Sequence, residues 1–553
     1  MSLNYNRTLT DVFAESCKEF AGDKAFTCMD RTLTYADLDR LSGRFAAYLQ
    51  QHTTLKPGDR IAVQLPNILQ YPVVVFGALR AGMVVVNTNP LYTPHEIKHQ
   101  LSDSGAKALI VLANIAKNAA AIIEDTDVEH VIVTELADLH SPLKRILLNF
   151  AVKHLKKMVP PFEFPHQIAF NKALALATTP WKPVAQVPED IAVLQYTGGT
   201  TGVAKGAMLT HRNLVANMAQ LNERMKNIFR PRQEVYVAPL PLYHIYSFTI
   251  HCTSAMALGN HSVLIPNPRD IPAFVKTLQK TPFTFFVGLN TLFNALMRNE
   301  DFCKLDFSNV RLTCSGGMAL TAETSRHWAE LTKAPISEGY GLTETSPVVS
   351  NNPLENVQYG TVGLPLIDTN CKVIDDEGNN LPSGEAGELC VQGPQVMKGY
   401  WQRTDATAEV IDADGWFKTG DIAIIQPDGY IKIVDRKKDM INVSGFKVYP
   451  NEVEDALSNH PDIIEVAVIG VPDGEGSETV KAFIVSANDQ LTVGQVRKFA
   501  KETLTAYKVP HLIEFRKELP KTNVGKILRR ELRDQEVVKK DSGKEEPVKK
   551  SQE

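Results

Sequence analysis

The chain has 553 residues, of which 44% are hydrophobic and 22% charged, with a formal net charge of −4. That length exceeds one ordinary core, so two or more domains are expected, and the composition is that of a water-soluble globular protein. The small negative charge argues against a broad nucleic-acid surface, and seven scattered cysteines without a C-x-x-C spacing predict buried reduced thiols rather than a disulfide framework.

In chain order, the N-terminus "MSLNYNRTLTDVF" lacks the charged-then-apolar pattern of a secretion signal. The runs "RIAVQLP", "ALIVLA", "HVIVTE" and "FTFFVGL" alternate with helical patterns, which predicts an α/β fold of layered, largely parallel sheets. The most apolar run, residues 71–86, is too short to span a bilayer and carries Arg80, so no integral membrane segment is expected. Residues 141–161, "SPLKRILLNFAVKHLKKMVPP", read as an amphipathic helix with Arg145, Lys153, Lys156 and Lys157 on one side. Leu, Ile, Phe and Met take the other side, and Lys144 is out of place. Two readings stand: a surface helix packed on its own domain, or an interfacial element resting on an anionic membrane.

The stretch "YTGGTTGVAKGAMLTH", residues 196–211, lies between a predicted strand and a helix beginning near Thr210. It fails the Walker spelling, since Ala204 and Gly206 flank Lys205 where Gly and Ser/Thr are required. Glycines still let successive N–H groups converge on phosphate oxygens, threonines add donors, and Lys205 adds a movable charge. A plain connection is the alternative. In "SEGYGLTETSP", residues 337–347, Tyr340 between glycines can lie against a planar base, and Glu344 suits a hard cation that bridges phosphates. Glu344 stands where G-x-G-x-x-G needs its last glycine, so a dinucleotide fold gains no support.

From Thr369 the texture changes to short β-rich pieces with tight turns such as Asp414-Gly415 and Asp428-Gly429. In "DGWFKTGDIAIIQPDGYIKIVDRKK", Asp421 could accept two ribose hydroxyls and Arg436 offers a fork for oxygens; hairpin edges are the plainer reading. Charged residues then lead into a compact unit of strands and helices. Residues 1–434 are expected to form a large N-terminal domain, and the charged run at 435–438 could be a linker. Residues 439–535 would form a small α+β domain, and 536–553 a charged, disordered tail. Lys526, in "LPKTNVGKILRREL", reads by itself as a solvated charge.

Together these motifs, in this order over nearly the whole chain, resemble the ANL adenylating superfamily of acyl- and aryl-CoA synthetases, peptide-synthetase adenylation domains and luciferases. Within it, residues 414–438 resemble the fatty acyl-CoA synthetase signature, and "VNTNPLYTPHEIKHQL" is similar to the bacterial long-chain acyl-CoA synthetases. The resemblance implies the ANL fold: a large N-terminal domain of several subdomains and a mobile C-terminal one. It also implies ATP, Mg²⁺ and coenzyme A as co-substrates or cofactors. The loop Thr197, Gly198, Gly199, Thr200, Thr201, Gly202 and Lys205 would hold the β- and γ-phosphates. Gly317, Met318 and Tyr340 would frame adenine, Thr343 would contact phosphate, and Glu344 would bind Mg²⁺. Asp421 would hold the ribose with Arg436 close by, and Lys526 would bridge the substrate carboxylate and the α-phosphate. Lys438 takes the hinge position, and Ser444 and Gly445 lie in a loop expected to line the pantetheine tunnel after domain rotation.

For the acyl site, the same resemblance points to His244, to Phe248 as a tunnel-mouth aromatic, and to Gly341, whose missing side chain would leave room that acetate-using relatives fill with Trp. A long-chain fatty acid is the expected substrate. Medium-chain acids, a carrier protein as acceptor, and a non-catalytic nucleotide or acyl binder are the alternatives. A cytoplasmic location, peripheral contact with an anionic membrane and no nucleic-acid partner follow, and a homodimer is compatible with the sequence.

Overall fold

The computed structural model describes residues 3–197, 204–318, 320–473, 477–521 and 527–541. The chain divides into two compact units. The first comprises Met1–Leu320, Ser325–Cys371 and Val391–Phe417; the second comprises Thr321–Thr324, Lys372–Cys390 and Lys418–Glu553.

Two large sheets organise the first unit. A seven-stranded sheet runs Gln167–Ala169, His130–Thr134, Ala106–Leu112, Arg60–Gln64, Val84–Asn87, Ile191–Thr197 and Lys205–Thr210, from edge to edge. Every neighbouring pair is parallel except the last. Val84–Asn87 is buried at all its residues, as a parallel strand covered on both faces must be, which is why such strands read as unbroken apolar runs. A nine-stranded sheet is parallel through its centre, from His261–Leu264 through Val235–Ala238, Phe285–Gly288 and Leu312–Gly316 to Ile336–Gly341.

The apolar run at 71–86 divides into a helix, Gln70–Arg80, buried at every residue, and the strand Val84–Asn87. A helix that is apolar all round belongs in a core. Arg80 is tolerated there because its guanidinium pairs with Asp39 at 2.7 Å and stacks on Trp181 at 4.4 Å. Capping boxes start the helices Tyr35–His52, Pro94–Ser104 and His211–Met225, with Thr34, Thr93 and Thr210 as the caps. Thr210 opens its helix where the sequence placed it.

The 141–161 segment is a helix, Pro142–Phe150, continued by a π-helical turn, Ala151–Leu155, and neither piece contains a fully buried residue. No helix among the described residues is long and apolar enough to cross a membrane. Of the cysteines, Cys17, Cys28, Cys252, Cys314 and Cys390 are buried free thiols, Cys371 is half-buried, and Cys303 is exposed.

In the second unit, Phe417–Ile425 and Ile431–Arg436 form an antiparallel pair turned at Asp428-Gly429, with Gly429 at φ +87°. Beyond it, Ile463–Pro472, Glu478–Ser486 and Leu512–Phe515 make a three-stranded sheet. Val453, Leu457, Val466, Val468, Ala482, Ile484 and Val496 form a core between this sheet and the helices Pro450–Ser458 and Val493–Lys501. The helix Arg529–Asp541 carries the chain through the first residues of the expected tail. The molecule is thus a mixed α/β protein with a large and a small unit, as expected.

Candidate active site

In the first unit the strands on either side of the expected phosphate loop pair as a hairpin. Ile191–Thr197 pairs with Lys205–Thr210, and Thr197 lies opposite Lys205. Gly198, Gly199, Thr200, Thr201 and Gly202 lie outside the described residues. The hairpin's base is held firmly. Tyr196 donates to Asp103 at 2.7 Å, and Arg403 pairs with the same carboxylate at 2.6 Å. Gly206 faces Tyr196 across the ladder, where a Cβ would come within 3.0 Å of the ring.

A second segment completes the hairpin's surroundings. Residues 398–401 run alongside Lys205–Thr210 like a further strand, with Lys398 N donating to Met208 O, Met208 N to Gly399 O, and Trp401 N to Gly206 O. This places Tyr400 beneath Lys205, whose ammonium sits 5.1 Å from the ring centroid. The Tyr400 hydroxyl donates to Glu344 Oε1 at 2.8 Å, and Glu344 is 9% exposed. Burial, and then the Glu344 charge, hold the Tyr400 phenol well above its ordinary pKa, so it remains a donor. Lys205, Tyr400 and Glu344 therefore form one cluster at the mouth of the hairpin. Sequence reasoning had Lys205 and Glu344 but missed Tyr400. Its only signal was an aromatic following glycine in a segment without clear periodicity.

Glu344 lies in a 3₁₀ turn, Thr343–Thr345, that follows directly from the strand Ile336–Gly341. That strand runs parallel to Leu312–Gly316, with Gly316 opposite Gly339. Gly317 and Met318 thus leave one strand's C-terminal end beside Tyr340 at the end of the next. Ligands bind in such crevices at the carboxyl ends of parallel strands. Gly317 has φ +85° and nothing closer than 3.8 Å to a Cβ, so the turn conformation, rather than crowding, calls for glycine.

The residues expected at the acyl site lie in the first unit. A Cβ on Gly341 would lie 2.1 Å from the Pro347 carbonyl oxygen, so the close approach of the Pro347–Val348 backbone by itself calls for glycine there. Phe248 is 0% exposed and packs within the main core. His244 caps a short helix, Ile245–Ser247, its Nδ1 accepting from Tyr246 N at 3.3 Å.

In the second unit, Asp421 and Arg436 face each other across the antiparallel pair and form an ion pair at 3.3 Å, with Asp421 buried. Lys438 occupies a 3₁₀ turn, Lys437–Asp439. Burial, helped by the cations Arg436 and Arg533, lowers its pKa to about 8, against the opposing pull of Asp439 and Asp421. Ser444 and Gly445 form the two-residue turn between Ile441–Val443 and Phe446–Val448, both at positive φ, as a type I′ hairpin turn needs. Ser444 N donates to Ser477 Oγ at 2.6 Å. Lys526 lies outside the described residues, but its flanks do not: Lys521 and Ile527 bridge each other. Arg529, three positions on, contacts Glu454 at 2.6 Å, Asp435 at 3.2 Å and Asp439 at 3.5 Å, tying the start of the last helix to residues on both sides of Lys438.

The AMP-binding enzyme profile matches residues 13–401, and the AMP-binding enzyme C-terminal domain profile matches residues 452–526. The chain is 52% identical over 532 residues to a long-chain-fatty-acid–CoA ligase of Escherichia coli O6:H1, covering 96% of this chain and 94% of the relative. It is 47% identical to the protein of that name from Haemophilus influenzae, covering 96% and 95%. Among solved structures, the anthranilate CoA ligase AuaEII in complex with anthranoyl-AMP superposes with a TM-score of 0.85 at 25% identity, covering 98% of this chain and 99% of that one. With the hairpin, the strand ends and the buried glutamate in place, and both profiles matched in order, the chain belongs to the AMP-binding enzyme family.

Proposed function

We propose that the protein joins a long-chain fatty acid to coenzyme A at the expense of ATP, through an acyl-AMP intermediate. The observation that carries the adenylating chemistry is the buried Glu344 carboxylate, fixed by Tyr400 beside the Lys205 ammonium at the phosphate hairpin. Relatives named long-chain-fatty-acid–CoA ligase, aligned along 96% of the chain, support the substrate class.

In the first half-reaction a carboxylate oxygen of the acid bonds to the α-phosphorus of ATP, the bond to the bridging oxygen breaks, and pyrophosphate leaves. Two anions must meet, so cations supply much of the catalysis: Lys205 faces the leaving phosphates, and Lys526 is assigned to the reacting carboxylate and α-phosphate. Tyr340, Gly317 and Met318 frame the base, Thr343 contacts phosphate, and Asp421 with Arg436 takes the ribose. In the second half-reaction the thiol sulfur attacks the acyl carbon, the mixed-anhydride C–O bond breaks, and AMP leaves with the thiol proton released. No protein nucleophile is required. Lys438 as a hinge would allow Lys526 to withdraw between the steps, with Ser444 and Gly445 on the pantetheine path.

The residues fit Mg²⁺ only together with nucleotide. Glu344 offers one carboxylate, and among the described residues no group of three His, Cys, Asp or Glu could hold an ion. Phosphate oxygens and water would supply the remaining ligands, and the ion would offset charge on the departing pyrophosphate. Homodimerisation and contact with a membrane surface are part of the same proposal, as is delivery of the product to fatty-acid breakdown.

Thioester formation across acids from C2 to C18, with and without coenzyme A, tests the reading. ATP-dependent thioester formation rising toward the long acids is the expected result. Acyl-AMP that never passes its acyl group to coenzyme A would refute the ligase, and a preference for short acids would refute the substrate class.

A further inference from the structure

The helix Pro142–Phe150 turns its apolar side outward. Successive residues advance about 100°, so Leu143, Ile146, Leu147 and Phe150 share one face, and these side chains are 55–72% exposed. The opposite face, with Lys144, Arg145, Leu148 and Asn149, is half-buried against the protein. Polar contacts fasten that inner face: Lys144 Nζ donates to Met29 O at 2.8 Å, Asn149 Nδ2 to Glu135 Oε2 at 2.9 Å, and Ala137 N to Asn149 Oδ1 at 2.9 Å. Past the π-helical turn, Leu155 and Met158 are also more than half exposed. The out-of-place Lys144 is thus an anchor, and the apolar stripe is left facing solvent.

Charge decides what could cover it. Residues 141–161 contain Lys144, Arg145, Lys153, Lys156 and Lys157 and no Asp or Glu, and Lys153, Lys156 and Lys157 are exposed beside Leu155 and Met158. In a symmetric contact with a second copy, this face would meet itself and bring like charges together. An anionic bilayer matches both features. Apolar side chains enter the acyl boundary while lysines at the helix end reach the headgroups.

We infer that this helix is a docking surface for anionic phospholipid membranes. The inference deepens the long-chain reading, on which it rests for its use: such acids partition into bilayers, and docking places the enzyme where they are concentrated.

The test is co-sedimentation of the full chain with vesicles of phosphatidylcholine alone, or with 30% phosphatidylglycerol, a fraction of roughly one lipid in three chosen to mimic an anionic surface. Binding to the mixed vesicles, weak binding to neutral ones, and release at high salt are expected. Leu147→Asp with Phe150→Asp should weaken binding at least about tenfold. Lys153→Gln, Lys156→Gln and Lys157→Gln together should weaken it about a hundredfold, at roughly fivefold per charge. Both variants should keep the parent's melting temperature and its conversion of monomeric dodecanoate to the thioester. A parent that stays in the supernatant, or variants that bind like the parent, would overturn the inference. So would a dimer that the aspartate variant dissociates while vesicle binding stays unchanged. Vesicle binding without any thioester formation would refute the long-chain reading and leave the docking surface standing.

Discussion

Replacing Tyr400 with phenylalanine removes one oxygen and leaves the ring under Lys205. The lost contact is a 2.8 Å hydrogen bond to a carboxylate that is only 9% exposed. A hydrogen bond to a charged group contributes about 1.5–3 kcal/mol. If that energy holds Glu344 in its reacting position, acyl-AMP formation should fall roughly 10- to 150-fold. Tyr400→Leu should fall a further ~2- to 5-fold, because it also removes the ring 5.1 Å from the Lys205 ammonium and a cation–π contact is worth about 0.5–1 kcal/mol. Acid-dependent ATP–pyrophosphate exchange measures the first half-reaction, and thioester formation from supplied acyl-AMP measures the second. The second should stay within about threefold of the parent, since pyrophosphate has already left. Exchange within twofold of the parent, or equal losses in both halves, would show that the hydroxyl does not position Glu344 for adenylation.

Lys526→Ala should abolish exchange, by about two to three orders of magnitude, yet largely spare thioester formation from acyl-AMP; equal loss of both would refute its assigned role. Gly341→Ala forces a Cβ to 2.1 Å from the Pro347 carbonyl and should lower the thermal transition by several degrees, as overpacking costs about 1–3 kcal/mol or more. An unchanged melting temperature would show that the backbone at Pro347 accommodates a Cβ there. Lys438, lowered to about 8 by burial, releases its proton in the folded chain while the unfolded chain keeps it. Stability should therefore rise with pH from about 8 toward the ordinary lysine value of about 10.4, and denaturant midpoints of Lys438→Met should lack that rise relative to the parent.

Much of the site was legible because its parts are local. A Gly/Thr loop after a strand, a Tyr between glycines and a Glu three residues past a strand each declare themselves in a few neighbouring letters, but the strand Lys205–Thr210 that separates the loop from its capped helix was not read from them. Tyr400 was invisible because its partners, Lys205 and Glu344, lie 195 and 56 positions away, and only main-chain pairing of residues 398–401 brings them together. The close backbone approach at Gly341 and the depth of Phe248 were invisible for a related reason. A motif position says nothing of where a Cβ would point or how deep a ring lies.

The sequence alone determined the α/β class, the order of the motifs and the chemistry of the reacting groups, because hydrophobic period, turn residues and ionisable side chains are properties of short segments. The tertiary structure decided which of those side chains meet, and which way each face turns. The 141–161 helix shows the difference: its two-sided pattern is written in the residues, but the pattern is equally satisfied with the apolar side in or out. Lys144 on Met29 and Asn149 on Glu135 and Ala137 settle it outward, through contacts with residues that the helical period does not register.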